Sequence, residues 1–120
     1  MLQLRQAQFD SLANAWFEQR LAGLIADSIP GARDSVNTEA GLVFLREQTA
    51  QAQRHGLVVE LDVARFVITA WLLGPNFDAR IPAFAEILGN PTLSPSQKSK
   101  ATELIASNLL AELGASAPAT

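Results

Sequence analysis

The side chains that could do acid–base chemistry in this chain are a single histidine, His55, and a few carboxylates. Imidazole titrates near neutral pH, but a histidine general base needs an orienting partner and a substrate or nucleophile within hydrogen-bonding distance. His55 directly precedes Gly56 at the predicted end of a helix, where a positive side chain interacts favourably with the carbonyl end of the helix dipole. A structural role therefore explains His55, and no catalytic histidine is predicted.

Four carboxylates are the remaining candidates for chemistry, namely Glu60, Asp62, Asp78 and Glu86. Two carboxyl groups at a fixed separation can act as acid and base, but the spacing along the chain selects no two of these four. Glu60 and Asp62 follow His55 most closely, and their spacing matches no established pattern of metal ligands. The sequence therefore predicts neither a catalytic residue nor a metal site.

Other common catalytic and cofactor motifs are missing from the sequence. The chain has no cysteine and no tyrosine, which excludes disulfides, thiolate zinc sites and cysteine nucleophiles. Gly74 and Gly89 are isolated, and no lysine follows them in the phosphate-loop pattern. No Gly-x-Ser-x-Gly elbow occurs, and residues 76–78 lack the further oxygen ligands of a calcium loop. We therefore predict a protein that is not an enzyme and holds no cofactor.

Length and composition restrict the class of protein. With 120 residues, of which 48% are hydrophobic and 18% charged, the chain is long enough for one domain with its own core. The net charge of −3 argues against nucleic acid and anionic membrane surfaces, because both require a basic surface. The longest apolar run, residues 66–74, is too short to cross a bilayer, and residues 1–5 lack a signal-peptide pattern. We expect a cytoplasmic protein without membrane insertion.

Hydrophobic spacing predicts about five helices and no strand. Apolar residues recur every three or four positions, as on one face of a helix. These periodic stretches cover residues 4–28, 38–55, 60–73, 82–88 and 94–113. Core packing is expected for Trp16 and Phe17 in the first stretch, and for Leu104 and Ile105 in the last.

Capping signals mark the ends of several of these helices. Asn37 or Thr38 can cap the second helix, because a short polar side chain accepts hydrogen bonds from unpaired amides. Gly56 fits the position after its end, which requires a left-handed backbone, and Leu57 would supply the accompanying apolar contact. Ser94, followed by proline, is predicted to start the last helix.

The stretch from Glu60 to Leu73 carries no charge after Arg65. A helix that is apolar nearly all round is buried on most sides. We therefore predict an all-α fold, with about five helices in a compact orthogonal or bundle-like single domain, residues 1–113, around this central apolar helix. Residues 114–120 are expected to form a flexible C-terminal tail.

The loop that follows the central helix is open to two compatible interpretations. In the first, it is a helix stop in which Phe77 returns to the core and Asp78 caps the next turn. In the second, it docks a protein partner, because aromatic side chains dominate binding hot spots on exposed loops. The predicted partner-binding residues are Trp71, Pro75, Asn76, Phe77 and Asp78.

Residues 56–91 resemble a group of small bacterial proteins in which a Gly-Ile-x-x-Glu-x-Asp-Val segment leads into a long apolar helix. That helix ends in Gly-x-x-Phe-Asp, and an aromatic residue, an Ile-Leu pair and a Pro-containing loop follow. The matching positions are Gly56, Glu60, Asp62, Val63, Gly74, Phe77, Asp78, Phe84, Ile87, Leu88 and Pro91. The chain departs from the pattern at Val59, which replaces a capping Thr or Ser, and at Phe84, which replaces a Trp.

The proteins of that group are similar to accessory proteins encoded beside type VI secretion and other toxin genes. The resemblance implies a non-enzymatic, protein-binding adaptor or chaperone whose partner is a secreted toxin, an effector or a spike component. One alternative is an immunity protein that neutralises a cognate toxin, since acidic proteins bind by electrostatic complementarity. The others are a small ligand-binding domain with a pocket under residues 71–77, and a homo-oligomer formed through a wide apolar stripe of the first or last helix.

Overall fold

A computed structural model describes the backbone of residues 6–116 and the side chains of residues 14–113. Over the described residues the chain forms seven helices and no strand, which confirms the all-α prediction. The helices are α1 (Gln6–Ser28), α2 (Arg33–Val36), α3 (Glu39–Arg54), α4 (Glu60–Leu73), α5 (Phe77–Arg80), α6 (Pro82–Leu88) and α7 (Pro95–Ser116).

The seven helices differ from the predicted five through two short additions. Helices α2 and α5 have four residues each, which is shorter than the window in which periodicity identifies a helix. Helices α4 and α6 have the predicted bounds. Helix α7 continues through Gly114 to Ser116, because a glycine inside a helix costs only about 1 kcal/mol. The rest of the predicted tail, residues 117–120, lies outside the described residues.

The chain divides into two compact units, residues 1–47 and residues 48–120, and the boundary falls inside α3. The single domain over residues 1–113 stays a prediction. In the first unit, α1 packs against α2, and Leu21, Ile25 and Val36 are buried. Thr38 caps α3 as predicted, since its Oγ1 accepts a hydrogen bond from the Gly41 amide at 3.0 Å.

The core position predicted for Trp16 is wrong, because 68% of the residue is exposed to solvent. At about 100° per residue, Trp16 lies on the opposite side of α1 from Ile25, which is fully buried. The apolar set of α1 therefore spans both sides of the helix, and only one side is covered. Phe17 is half-buried, at the edge of the covered side.

In the second unit, α4 is the central helix, and α7 packs along it. A row of three buried rings forms the core, with Phe77 between Phe66 and Phe84 and centroid distances of 4.9 Å on both sides. The side of α7 that is buried carries small residues, among them Ser99 and Thr102. The expected core position of Leu104 is wrong, since it is 62% exposed.

The end of α3 has the predicted glycine cap. Gly56 has a positive φ of 85°. Its amide donates to the Gln53 carbonyl at 2.9 Å, and the Leu57 amide donates to the Ala52 carbonyl at 3.0 Å. This pair of hydrogen bonds defines a Schellman motif, and Leu57 is buried as such a motif favours. The motif ends α3 beside His55 and fixes the backbone there.

Candidate functional site

A buried carboxylate, Asp78, connects the start of α5 to the last turn of α3. Its Oδ2 atom accepts a hydrogen bond from Nε2 of His55 at 2.7 Å and another from Nε2 of Gln51 at 2.8 Å. An ionised carboxylate only accepts hydrogen bonds, so Nε2 of His55 carries the proton in this contact. Asp78 lies in the first turn of α5, and its side chain also reaches α3, with the residue only 5% exposed.

The partners of Asp78 are themselves held in place. Arg54 Nε donates to Oε1 of Gln51 at 2.8 Å, which leaves the Gln51 amide nitrogen facing the carboxylate. The His55 ring lies 5.7 Å from the Phe66 ring. Burial raises the pKa of Asp78, but the hydrogen bonds from His55 and Gln51 and the charge of His55 outweigh it and hold the pKa below its usual 3.8. Asp78 is therefore ionised throughout the neutral range.

The structure brings together only two of the candidates for chemistry, His55 and Asp78. Glu60 and Glu86 are exposed, and Asp62 faces Arg65 on the next turn of α4 at 3.6 Å. A carboxylate can orient a histidine for proton transfer, but such a pair also needs a substrate site. Over the described residues, no group of three or more His, Cys, Asp or Glu side chains is placed to hold a metal ion. The His55–Asp78 hydrogen bond joins the end of α3 to α5 and is a cross-link that includes an ionised carboxylate.

The loop after α4 is a helix stop with two residues of positive φ and two side-chain hydrogen bonds from Arg80. Gly74 and Asn76 both have positive φ values, 97° and 63°. The Arg80 guanidinium reaches back and donates to the Leu73 carbonyl at 2.8 Å and to the Pro75 carbonyl at 3.3 Å. The bond to Leu73 satisfies a carbonyl that the end of the helix leaves unpaired, and the bond to Pro75 ties the loop backbone to α5.

The five predicted partner-binding residues separate into surface and interior. Pro75 and Asn76 are exposed, and Trp71 is half-buried. Phe77 is fully buried, and Asp78 is 5% exposed. Phe77 and Asp78 are therefore interior residues that a partner cannot touch in this structure, and the core position predicted for Phe77 is confirmed.

A small apolar cleft lies between α4 and α7, and one of its lining residues, Leu72, directly precedes the end of α4. It has a volume of about 170 Å³ and is lined by Arg65, Ile68, Thr69, Leu72, Glu103, Ala106, Ser107 and Leu110. Leu72 and Leu110 are 39% and 36% exposed. The Thr69 hydroxyl donates to the Arg65 carbonyl at 2.7 Å, so its hydrogen bond is made within α4. The cleft therefore offers mainly apolar atoms.

One end of the cleft is charged. Arg65 Nε lies 2.7 Å from Oε2 of Glu103, and Arg65 Nη1 donates to the buried Ser99 hydroxyl at 3.3 Å. Asp62 adds a second carboxylate at 3.6 Å. Because Arg65 is already neutralised by two acids, this end of the cleft is unsuited to a free anion. The Arg65–Glu103 ion pair lies at one end of the cleft, and leucine side chains line the other.

Sequence reasoning missed Leu72 and Leu110. The signal was present in α4, where Ile68 and Leu72 lie one turn apart on a different side from Phe66 and Ala70. A helix that is apolar on both sides can be buried on both sides or can present one of them to a partner, and periodicity alone does not distinguish these outcomes.

The first unit has a shallower open surface on the outer side of α3. This α3 surface contains an open depression of about 710 Å³, which is lined by Thr38, Glu39, Ala40, Val43, Phe44 and Glu47. Glu39 and Glu47 are exposed and lie about 12 Å apart along the helix. The surface is therefore apolar in its middle and acidic at both ends.

No family model matches this chain, and neither a curated protein nor a solved structure shows similarity to it. In the part of the chain that the structure describes, no helix combines the length and the apolar character needed to cross a membrane. Function must therefore be inferred from the surfaces of the two units.

Proposed function

We propose that this protein is a non-enzymatic protein-binding accessory, an adaptor or chaperone, and that it binds its partner through the cleft between α4 and α7. The observation that carries the proposal is an apolar concavity bordered by two partly exposed leucines, Leu72 and Leu110. The class of the partner, a secreted bacterial toxin, effector or type VI spike component, rests on the resemblance of residues 56–91 alone.

The size of the cleft favours a protein partner over a small molecule. Its volume of about 170 Å³ is below the range of about 300–1,000 Å³ that is usual for small-molecule pockets. It is sufficient for one large apolar side chain, and such anchors dominate protein interfaces. Burying an anchor of this kind contributes about 1.5–3 kcal/mol, and an amphipathic segment laid along α4 and α7 would supply it.

The cross-linked loop supports the proposal because hydrogen bonds and ring contacts hold the segment that follows Leu72. Asp78 and the buried Phe77 ring fix α5, and Arg80 fixes the loop backbone through the Leu73 carbonyl. Leu72 precedes this fixed segment directly. A preorganised surface loses little entropy on binding, which increases affinity without additional contacts.

Affinity purification of the tagged chain from its native host at native expression level tests the proposal. We expect an effector, toxin or spike protein to co-purify. Two substitutions in the cleft, Leu72→Gln and Leu110→Gln together, should lower its recovery about tenfold or more, a loss of at least about 1.4 kcal/mol. The matched control is Leu104→Gln, which changes an exposed leucine of α7 that is not part of the cleft and should leave recovery unchanged.

Two results contradict this function. One is recovery of the chain without such a partner at low salt. The other is a partner whose recovery falls equally with the cleft variant and with Leu104→Gln, because that would place binding outside the cleft.

A second candidate function, toxin neutralisation, is favoured by the α3 surface. Its acidic ends, Glu39 and Glu47, and its apolar middle, Val43, suit a basic active-site rim on a toxin. Co-expression with the cognate toxin distinguishes the two functions. Neutralisation is supported if the wild-type chain rescues growth, the double variant Glu39→Lys and Glu47→Lys does not, and the control Asp34→Lys on α2 still does. Unchanged toxicity with improved toxin solubility supports the chaperone function.

A further inference from the structure

Helix α1 exposes a stripe of side chains opposite its buried face. At about 100° per residue, five exposed positions fall on one side of the helix. They are Trp16, Arg20, Gly23, Leu24 and Asp27, and together they form the α1 stripe. Trp16 is 68% exposed and Leu24 is 46% exposed, so the stripe contains two large apolar side chains that its own unit leaves in contact with water.

Gly23 is not explained by the fold of the first unit. A Cβ atom at Gly23 would have no neighbour within 4 Å, so no intramolecular contact requires a glycine there. Its φ is not among the positive values of the chain, so the backbone does not require one either. A glycine in mid-helix costs about 1 kcal/mol relative to alanine. What the glycine provides is room for the side chain of another helix on the outer side of α1.

We propose that the α1 stripe binds the same stripe on a second copy of this chain, as an antiparallel pair of α1 helices. A two-fold axis placed between residues 23 and 24 puts Leu24 of each copy over the partner's Gly23. The side chain that protrudes and the gap that receives it lie next to each other in the sequence. The surface is therefore self-complementary in shape, as a two-fold interface requires.

Charge complementarity selects the same arrangement. With the axis between residues 23 and 24, Arg20 of each copy lies opposite the partner's Asp27, and symmetry creates the ion pair twice. A parallel pair in register would instead place Arg20 beside Arg20 and Asp27 beside Asp27. Asp27 already contacts Arg33 at 2.7 Å, but both side chains are mostly exposed, 71% and 65%, and such surface pairs contribute little. Asp27 therefore remains available to the partner's Arg20.

Trp16 adds apolar area at the two ends of the pair. The Arg20 guanidinium lies 5.8 Å from the centre of the Trp16 ring. This cation–π contact orients the Trp16 ring along the stripe. From Trp16 to Asp27 the stripe is about 17 Å long. A single pair of helices this short lies at the low end of interface sizes, so we expect a weak dimer that forms at concentrations of about 10 μM or above.

Sedimentation velocity of the full chain over about 5–500 μM tests the proposal. We expect a monomer–dimer equilibrium. Gly23→Leu fills the gap, and Arg20→Asp places like charges opposite each other, so each should weaken dimerisation about tenfold or more. The double variant Arg20→Asp and Asp27→Arg exchanges the charges and should restore the dimer. Leu104→Gln, an exposed leucine in the second unit, is the control and should leave the equilibrium unchanged. Helix content measured by circular dichroism establishes that each variant is folded.

Three results overturn the proposal. They are a wild-type chain that is monomeric at every concentration, a dimer that folded Gly23→Leu leaves intact, and a charge-exchanged double variant that is as weak as Arg20→Asp alone. The last result would exclude the antiparallel register even if α1 were part of an interface. None of these outcomes depends on the partner proposed for the cleft, because the purified chain is measured alone.

Discussion

Replacing Asp78 by asparagine tests whether the charged cross-link stabilises the second unit. The substitution keeps the size of the side chain and removes its charge. In the native protein Oδ2 accepts two hydrogen bonds, from His55 at 2.7 Å and from Gln51 at 2.8 Å. Asparagine can offer its single oxygen to these donors, but its amide group can no longer accept and its oxygen carries no full charge.

The magnitude follows from these two contacts. A hydrogen bond to a charged group contributes about 1.5–3 kcal/mol, and His55 and Gln51 are half-buried, so water partly compensates for their loss. We expect Asp78→Asn to lower the free energy of unfolding by about 2 kcal/mol. Asp78→Ala should lower it by about 3 kcal/mol, because both donors then lose their acceptor.

The pH dependence has a defined sign. The pKa of Asp78 is lower in the folded protein than the usual 3.8, so its stabilising contribution is complete above that value. The contribution is lost as the pH falls through the folded pKa, because the native state must then take up a proton. The difference in stability between wild type and Asp78→Asn should therefore shrink as the pH falls below about 4.

Urea unfolding, followed by circular dichroism between pH 7 and pH 3, measures both effects. Glu86→Gln is the matched control, since Glu86 is an exposed carboxylate of the same unit, and its change should stay within about 0.5 kcal/mol. Asp78→Asn with the same stability as the control at pH 7, or a difference that grows as the pH falls below about 4, would contradict this prediction.

Four further substitutions test the packing and the start of α7. Gly41→Ala would place a Cβ atom 2.6 Å from the Val36 carbonyl oxygen. We expect the free energy of unfolding, measured in urea, to fall by about 3 kcal/mol. An unchanged urea midpoint would contradict the close approach of α2 and α3. Phe77→Ala removes the middle ring of the buried row and should lower the free energy of unfolding by about 3–5 kcal/mol. Trp16→Ala, on the surface, should lower it by less than about 0.5 kcal/mol. Equal losses in the two variants would be incompatible with the structure. Ser94 accepts a hydrogen bond from a first-turn amide of α7 at 3.2 Å, so Ser94→Ala should cost about 1 kcal/mol, read as a lower melting temperature.

The local features of the fold could be predicted from short segments. The bounds of α4, the glycine cap at Gly56 and the serine cap at Ser94 agree with the sequence interpretation. Each depends on backbone sterics and on hydrogen bonds between residues at most five positions apart, so the necessary information lies within one segment. The all-α class follows from the same local periodicity.

The candidate sites could not be predicted in this way, because each joins segments that are distant in the sequence. The carboxylate of Asp78 meets a histidine 23 positions earlier in the chain, and no spacing rule relates the two. The cleft needs Leu72 and Leu110 on neighbouring helices, which becomes evident only when α4 and α7 are seen to pack together.

The sequence by itself therefore determined that this chain is helical and where most of its helices begin and end. Only the tertiary structure decided which apolar side chains stay in water, with Trp16, Leu72 and Leu104 outside and Phe77 inside. The physical reason is that helix formation depends on near neighbours along the chain, whereas burial depends on which element covers a given face. The surfaces left uncovered, the cleft between α4 and α7 and the α1 stripe, are where we place the function of this protein.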